Sequence, residues 1–338
     1  MRASIESWLH RQWTKRGLMA CALSPLSLAF LWVARDRRRK IVPKHLPVPV
    51  IVVGNIYVGG TGKTPVTIAL VKELVQRGWR PAVVSRGFGR KDELPKLVTL
   101  TSPAAEVGDE PLLIAQQTGV PVAVAKDRVA AAYLILDQFP DCNLIISDDG
   151  LQHYGLNRDV EIAVVGARGL GNGWVLPAGP LREPPSRLDE VDAIVLNATE
   201  DTFDSRTPRF AVTAILGNAR SLDGSRVLDL DELALSGKKV RAAAGIAAPG
   251  RFFAMLRAHD IQGEMIELGD HFAFDSNPFK EAKEDVILIT GKDAVKCRQH
   301  PELSKDDRIY WVEYLVDIDP YLVDFVENKI KEKGKENA

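Results

Sequence analysis

Short apolar runs alternate with segments of helical spacing over most of this chain. Strand-like runs rich in β-branched residues occupy positions 47–53, 81–85, 120–125, 143–147, 160–165 and 191–196. Apolar residues recur at helical spacing over 65–76, 109–118 and 127–138. Buried strands joined by amphipathic helices are typical of a doubly wound sheet, so we predict an α/β domain with a mostly parallel sheet over 41–205.

This alternation is interrupted near residues 200–225, where Thr, Asp, Ser and Arg predominate. We predict a linker at 206–225. Beyond it, strand-like runs occupy 240–244, 264–268, 286–290 and 309–316, and helical segments lie near 249–259, 291–298 and 320–332. These elements predict a second, smaller α/β domain over 226–330. The polar end of the chain, 331–338, is predicted to be disordered.

The N-terminal segment differs from the rest in being apolar and basic. Residues 17–34 carry no charge, and as a helix they would span ~27 Å at ~1.5 Å per residue, the lower limit for crossing a bilayer. Just upstream, Ile5, Trp8, Leu9 and Trp13 follow helical spacing beside basic residues. We predict a membrane-associated helical segment over 1–40. A helix buried against the body is the main alternative, and nucleic-acid binding fits less well because the basic residues flank an apolar run.

Charge supports the membrane interpretation. The formal net charge is -1, yet residues 1–44 contain ten Lys or Arg and two acidic residues, whereas the remainder contains 34 basic and 43 acidic ones. A basic, apolar segment suits anionic lipid on the cytoplasmic side of a membrane. The three cysteines lie far apart, which argues against a disulfide framework or zinc cluster and favours a reducing compartment.

A glycine-rich turn, GNIYVGGTGKT at 54–64, follows the first predicted strand and precedes a predicted helix. This is the context of a P-loop, whose backbone N–H groups surround a polyphosphate. The pattern predicts that Lys63 reaches the β- and γ-phosphates and that the Thr64 hydroxyl binds magnesium. The predicted phosphate-binding residues are Gly59, Gly60, Thr61, Gly62, Lys63 and Thr64. Tyr57 replaces the first glycine of the usual pattern, and a purely structural glycine turn is the alternative.

Two adjacent carboxylates, Asp148 and Asp149, follow the predicted strand at 143–147. Carboxyl ends of parallel strands meet at one edge of a sheet. Adjacent carboxylates there are costly unless a cation neutralises them, and magnesium is the natural cation beside a P-loop. We therefore predict that Thr64, Asp148 and Asp149 hold Mg²⁺; a surface Asp-Asp-Gly turn is the alternative.

Several longer motifs resemble the tetraacyldisaccharide 4'-kinases of lipid A assembly. They are GNIYVGGTGKTP (54–65), VSRGFGR (84–90), VGDEP (107–111), DDGLQH (148–153), GNGWVLPAGPLREP (171–184), GIAAPGRFF (245–253), GDHFAF (269–274) and TGKDAVK (290–296). They cover nearly the whole chain in order. One departure is Gly291, where the family commonly has Glu. The resemblance implies a P-loop NTPase-like kinase that uses ATP and Mg²⁺ to phosphorylate the 4'-hydroxyl of a tetraacylated glucosamine disaccharide 1-phosphate, giving lipid IVA.

The resemblance also implies roles for residues outside the P-loop. Asp109 would accept the proton of the sugar hydroxyl with His271 as its partner, while Lys63 would stabilise the transferring phosphoryl group. The residues implied in substrate binding are Arg86, Glu110, Arg128 and Arg182. From the residues alone, Asp109 could instead cap the helix at 109–118, and the four substrate residues could be surface ion pairs or caps. His153, at the end of DDGLQH, is assigned no step.

The expected partners are the membrane-embedded acylated disaccharide and the anionic surface of the inner membrane. No nucleic acid or obligate protein partner is indicated, and the expected location is the cytoplasmic face of a bacterial inner membrane. Two alternatives are a nucleotide switch or maturation GTPase with a deviant P-loop, and a membrane scaffold with a vestigial nucleotide fold. The sequence has no N-K-x-D motif for a GTPase, and its intact P-loop lysine and paired acids argue against the scaffold.

Overall fold

The computed structural model describes residues 12–90, 92–197 and 203–336. The strands are β1 (Val50–Gly54), β2 (Pro81–Ser85), β3 (Lys96–Val98), β4 (Val122–Val124), β5 (Leu144–Asp148), β6 (Val160–Gly166), β7 (Ala193–Asn197), β8 (Arg209–Ser221), β9 (Val227–Leu228), β10 (Val240–Ala244), β11 (Gly263–Glu267), β12 (Val286–Thr290) and β13 (Ile309–Ile318). The helices are α1 (Leu18–Lys40), α2 (Lys63–Gln76), α3 (Ala104–Val107), α4 (Asp109–Thr118), α5 (Arg128–Gln138), α6 (Leu230–Leu235), α7 (Pro249–Ala258), α8 (Gly291–Cys297) and α9 (Pro320–Glu336).

The strands form one sheet in the order β11-β10-β12-β13-β8-β7-β6-β1-β5-β2-β4-β3, with β9 paired to β8. Most neighbouring pairs are parallel; β3 with β4, β8 with β13 and β8 with β9 are antiparallel. Strand β1 lies between β5 and β6, with Val53 in register with Asp148. The mostly parallel α/β sheet predicted from the sequence is therefore confirmed.

Strand β1 shows how the sheet is buried on both faces. Its residues alternate, because successive side chains of a strand point to opposite faces. Ile51 and Val53 pack in a cluster with apolar residues of α2, α4 and α9, whereas Val50 and Val52 pack in another with residues of α5. The β-branched run that predicted a buried parallel strand thus supplies both layers of the core.

The segment predicted as a linker, 206–225, is mostly a strand. Strand β8 is parallel to β7 and antiparallel to β13, so it joins the two halves of the sheet. Only some of its residues, including Val212, Leu216 and Ala219, are buried. Polar residues between them gave the segment the composition of a linker, so that prediction is wrong for 209–221. The division of the chain into two domains stays a prediction.

The C-terminal helix also extends further than expected. Helix α9 continues to Glu336, so the disorder predicted for 331–338 is wrong up to that residue, and the last two residues lie outside the described chain. Leu322, Val323 and Val326 of α9 are fully buried in the core of the first half of the sheet. This packing stabilises the helix, and its Lys- and Glu-rich end favours continuation.

Helix α1 lies against the body along one side. Near its middle, the Ser27 hydroxyl donates to the Val175 carbonyl at 2.9 Å and accepts from the Ala178 N–H at 3.0 Å. Near its end, Arg38 pairs with Glu190 at 2.9 Å. Among the described residues α1 is the helix long and apolar enough to cross a membrane, yet it is docked on the protein and its outward side chains are exposed.

The exposed side of α1 is apolar. Its large exposed side chains are Leu18, Leu26, Leu28, Phe30, Trp32 and Val33. One stripe of the helix therefore docks on the body, as one of the two possibilities left open by the sequence requires, and the opposite apolar stripe faces outward. Of the predicted amphipathic segment before it, Ile5, Trp8 and Leu9 lie outside the described residues. Trp13 is buried, and its indole N–H donates to the Pro177 carbonyl at 3.1 Å.

Candidate active site

The glycine-rich turn joins the end of β1 to the start of α2, as a P-loop requires. Gly59 and Gly62 have φ angles of 102° and 85°, in the left-handed region that favours glycine. A Cβ on Gly62 would lie 2.0 Å from the Asn197 amide nitrogen. The turn thus depends on glycine for both its backbone conformation and its close approach to β7.

Two buried asparagines hold this turn in place. The Asn55 amide donates to the Thr61 hydroxyl at 2.9 Å and to the Gly59 carbonyl at 3.3 Å. The Asn197 amide donates to the Thr61 carbonyl at 3.0 Å and accepts from Arg251 at 3.0 Å. Neither asparagine was predicted, although each lies at the carboxyl end of a buried strand, which was a usable signal.

The paired acids lie beside the P-loop. The Asp148 carboxylate accepts from the Thr67 hydroxyl at 2.9 Å and lies 3.5 Å from the Thr64 hydroxyl. The Lys63 ammonium is 3.5 Å from Asp149. Asp148 is fully buried. The register of β1 and β5 creates this arrangement, so the surface-turn alternative does not describe these residues.

The two acids differ in their electrostatic surroundings. Burial, followed by Glu110 and Asp149, raises the pKa of Asp148 to about 7. Burial also acts to raise the pKa of Asp149, but Lys63, Arg182 and Arg128 outweigh it and the pKa is lowered. A buried carboxylate with a raised pKa is a site where an added cation would be strongly favoured.

The oxygen atoms near the P-loop fit magnesium. Thr64 offers a hydroxyl and the two acids offer carboxylates, all hard oxygen ligands. Within residues 12–90, 92–197 and 203–336 no group of three or more His, Cys, Asp or Glu could hold a metal alone. Such a limited protein ligand set suits Mg²⁺, which is typically bound by one or two carboxylates together with substrate phosphates.

A second cluster forms around Asp109, which is 8% exposed. One of its oxygens, Oδ2, lies 3.1 Å from His271 Nδ1 and 3.0 Å from the Lys296 ammonium. The other oxygen, Oδ1, has no hydrogen-bond partner in the described part of the chain. The N-cap of α4 is Gly108, and no side chain caps that helix. The alternative of Asp109 as a helix cap is therefore not supported, and Oδ1 is available to a ligand.

Lysines determine the charge state of this cluster. Burial acts to raise the pKa of Asp109, but the hydrogen bond from His271 and the charges of Lys292 and Lys296 hold it well below its usual range. Lys292 lies 3.2 Å from Glu110 and 3.4 Å from His271 Nε2. Burial acts to lower the pKa of Lys292, yet Glu110 and Asp109 raise it overall. His271 therefore lies between Asp109 at its Nδ1 and Lys292 at its Nε2.

The three predicted arginines have different surroundings. Arg182 donates to the Asp149 carboxylate at 3.2 Å. Arg128 is buried and donates to the Lys126 and Asp149 carbonyls at 3.0 and 3.4 Å; burial, opposed by Asp149 and reinforced by nearby Arg86, lowers its pKa to about 10. Arg86 is exposed and makes no hydrogen bond or ion pair with any residue the structure describes. All three therefore border the acid pair or each other.

His153 supports this region without facing the reaction centre. Its Nε2 accepts from the Arg128 backbone N–H at 3.3 Å and lies 3.6 Å from Asp127. Burial, together with the charge of Arg128, lowers its pKa to about 4. A neutral His153 orders the start of α5, where Arg128 stands.

The sequence matches the family described as tetraacyldisaccharide-1-P 4'-kinase over residues 19–331. This chain belongs to that family. The tetraacyldisaccharide 4'-kinase of Janthinobacterium sp. (strain Marseille) is 46% identical over 340 residues, covering 98% of this chain and 97% of that protein. The same-named protein of Herminiimonas arsenicoxydans is 44% identical with the same coverages.

A solved structure agrees with the family assignment. The crystal structure titled as the "apo" form of LpxK from Aquifex aeolicus in complex with ATP has a TM-score of 0.78 and 27% sequence identity. The match covers 93% of this chain and 100% of that one. The fold of this tetraacyldisaccharide 4'-kinase family member is therefore shared along nearly the whole chain.

Lys292 and Lys296 are the main additions that the structure makes to the predicted site. Both belong to the TGKDAVK motif, and their spacing of four residues in α8 places them on one helix face. That spacing was visible in the sequence. Asp109, the carboxylate that they surround, begins a different helix nearly two hundred residues earlier, so their role was not visible in the sequence.

Proposed function

We propose that this protein transfers the γ-phosphate of ATP to the 4'-hydroxyl of a tetraacylated glucosamine disaccharide 1-phosphate, giving lipid IVA. Family membership supports the activity, and one geometric observation supports the chemistry. A P-loop with its acid pair and a buried carboxylate with one free oxygen lie at the same edge of the sheet. Glu110, which follows that carboxylate, is close enough to Asp148 to raise its pKa.

The phosphate side of the reaction requires charge stabilisation. The P-loop N–H groups and Lys63 would bind the β- and γ-phosphates, since donors that are already in position stabilise the transferring group best. Thr64, Asp148 and Asp149 would hold Mg²⁺. When bound, the ion neutralises phosphate charge. The short distance between Lys63 and Asp149 directs the ammonium toward the acid pair.

The acceptor side requires a proton acceptor. The sugar hydroxyl would donate to Asp109 Oδ1 while its oxygen forms the new bond to the γ-phosphorus and the bond to the ADP oxygen breaks. The proton passes to Asp109. A carboxylate of low pKa is a weak base for a free alcohol, but it accepts readily once the new P–O bond acidifies the hydroxyl. His271 keeps the carboxylate oriented through Oδ2, and a positioned base contributes about 10²–10⁴-fold.

The arginines provide the groups for the 1-phosphate. Planar guanidinium groups bind phosphate through paired hydrogen bonds. Arg86 is free and exposed, while Arg128 and Arg182 are already engaged with Asp149. We therefore assign the first contact with the 1-phosphate to Arg86, with the other two completing the site. Glu110 would hydrogen-bond the sugar hydroxyls or amides.

Helix α1 would bring this site to the lipid. Its outward stripe is apolar, and five of the six residues at 35–40 are basic. Because Ser27 in the middle of the helix is hydrogen-bonded to the body, the helix would lie in the headgroup plane and not cross the bilayer. ATP is cytoplasmic in bacteria, so we assign the protein to the cytoplasmic face of the inner membrane.

Transfer of label from γ-³²P-ATP tests this function. The full chain is added to vesicles that contain either the acylated disaccharide 1-phosphate or a matched analogue that lacks the 4'-hydroxyl. We expect labelled lipid from the first acceptor and none from the second. Free labelled phosphate without labelled lipid would instead indicate a nucleotide switch, and the absence of any turnover would indicate a scaffold.

A further inference from the structure

A cavity of about 540 Å³, separate from the candidate active site, lies between the two halves of the sheet. Helix α4 contributes Leu113, Gln116 and Gln117 to its wall, and the α8 region contributes Gly291 and Arg298. None of the residues assigned above to phosphate, magnesium, proton transfer or the disaccharide lines it. Its size is within the range of small-molecule sites, so its lining indicates what it would bind.

The cavity wall contains a cation with no acidic partner. Arg298 donates to the Leu222 carbonyl at 2.7 Å and to Gln116 Oε1 at 2.6 Å. It forms no ion pair with a carboxylate in the described ranges, and burial lowers its pKa. By contrast, the neighbouring Arg220 is paired with Glu313 at 2.5 Å. A partly buried guanidinium without a counter-charge is costly, and an anion would relieve that cost.

The remaining lining combines apolar and aromatic side chains with three charged ones, Lys72, Asp223 and Glu313. The guanidinium of Arg298 stacks over the ring of Trp311, 5.5 Å from its centroid. The indole N–H of Trp311 is buried and has no acceptor in the part of the protein described. Leu113, Leu222 and Leu315 supply further apolar surface. Arg298, which has no carboxylate partner, would attract an acidic group, and the apolar and aromatic part of the wall favours an apolar body.

Gly291 leaves the cavity open. A Cβ at this position would lie 3.4 Å from both Gln117 and Leu113 and 3.5 Å from Trp311, all of them lining residues. A longer side chain would therefore extend among the groups that form the wall. Because Gly291 is the first residue of α8, an acidic residue there is compatible with the helix and favoured by its dipole.

We propose that this cavity binds a small amphipathic organic anion, an acidic head group joined to an apolar or aromatic body. The head group pairs with Arg298, and the body lies against Trp311 and the leucines. Both helices that form the wall also carry active-site residues, Asp109 on α4 and Lys296 on α8. An occupant therefore holds α4 and α8 together. Because the contact between these helices sets the charge of Asp109, the cavity is a regulatory site.

Binding of 6-fluoro-2-naphthoate to the full chain in detergent, followed by ¹⁹F NMR, tests the proposal independently of kinase activity. We expect saturable binding with Kd of about 0.1–1 mM, as suits a ligand of this size. The neutral 6-fluoro-2-naphthamide should bind at least tenfold more weakly. Hydrogen exchange should slow at 109–118 and 291–298 when the naphthoate binds.

Two variants in different parts of the wall locate the site. Gly291→Glu fills the cavity with a negative side chain, and Arg298→Gln removes the positive charge while keeping donors; each should weaken binding at least tenfold. Arg257→Gln, an equal change of charge at an exposed position of α7, should leave binding unchanged. The proposal would be overturned if the naphthoate showed no saturable binding, if the amide bound as tightly as the naphthoate, or if both wall variants bound the naphthoate as tightly as the parent protein. The comparison with the amide needs no variant, so it holds even if a variant fails to fold.

Discussion

Replacing Asp109 by Asn tests the proposed acceptor of the sugar proton. Asn keeps the size of the side chain and can still accept at Oδ1, but it cannot take a proton. We expect kcat to fall by about 10²–10⁴-fold, equivalent to about 3–5.5 kcal/mol of transition-state stabilisation. KM for ATP should stay within about twofold, since Asp109 contacts no group of the P-loop.

The structure also predicts the effect on stability. Asp109 is the carboxylate partner of Lys296, whose ammonium keeps its hydrogen bond to the Phe272 carbonyl at 2.9 Å. Removing one partner of a buried pair costs about 3–5 kcal/mol. Because Lys296 retains that bond and some exposure, we expect a loss near the lower end, seen as a lower Tm.

A double variant separates the two effects. Asp109→Asn combined with Lys296→Met removes the unpaired charge and should recover most of the stability. The assay is label transfer at saturating ATP, with the melting curve recorded on the same sample. If folded Asp109→Asn retains kcat within about threefold of the parent, or if the double variant regains activity along with stability, Asp109 is not the proton acceptor.

Three further perturbations test other parts of the structure. Lys63→Ala should lower kcat by at least about 10²-fold because it removes the phosphate-facing charge, and near-normal transfer would contradict the P-loop assignment. Burial lowers the pKa of His153 to about 4, so the unfolded chain binds more protons between about pH 4 and about pH 6.5 and stability falls as pH drops through that range. In denaturant titrations at pH 7 and pH 4.5, His153→Gln should show a drop smaller by about 2 kcal/mol, and an unchanged drop would refute the assigned cause. Trp32, 71% exposed on α1, should contribute about tenfold to partition into anionic vesicles; Trp32→Ser should show this loss in a flotation assay while Tyr321→Ser, at an exposed aromatic on α9, does not, and equal behaviour of the two variants would argue against α1 as the membrane contact.

The predicted elements that the structure reproduces share one property: their evidence is local. Strands β2, β10 and β12 begin and end at the predicted residues because each is a short apolar run flanked by breakers. The P-loop was also predictable, since the strand, the glycine-rich turn and the start of the helix occupy consecutive positions. The place of the acid pair beside it was predictable because the carboxyl ends of parallel strands lie at the same edge of a sheet.

The errors come from segments that are stabilised by distant residues. Strand β8 has a polar composition and is a strand because β7 and β13 supply its hydrogen bonds. The end of α9 is rich in charge, and the buried part of that helix packs on the sheet more than a hundred residues away in sequence.

For this protein the sequence by itself determined the fold class, the glycine-rich turn between a strand and a helix, the pair of acids at the end of a buried strand and the family, because consecutive residues carry each of those signals. Only the tertiary structure decided that α1 docks through Ser27, that Lys292 and Lys296 surround Asp109, and that an unpaired Arg298 borders a separate cavity. Those features depend on distances between residues far apart in the chain, and such distances follow from how the whole sheet packs, which no local pattern encodes.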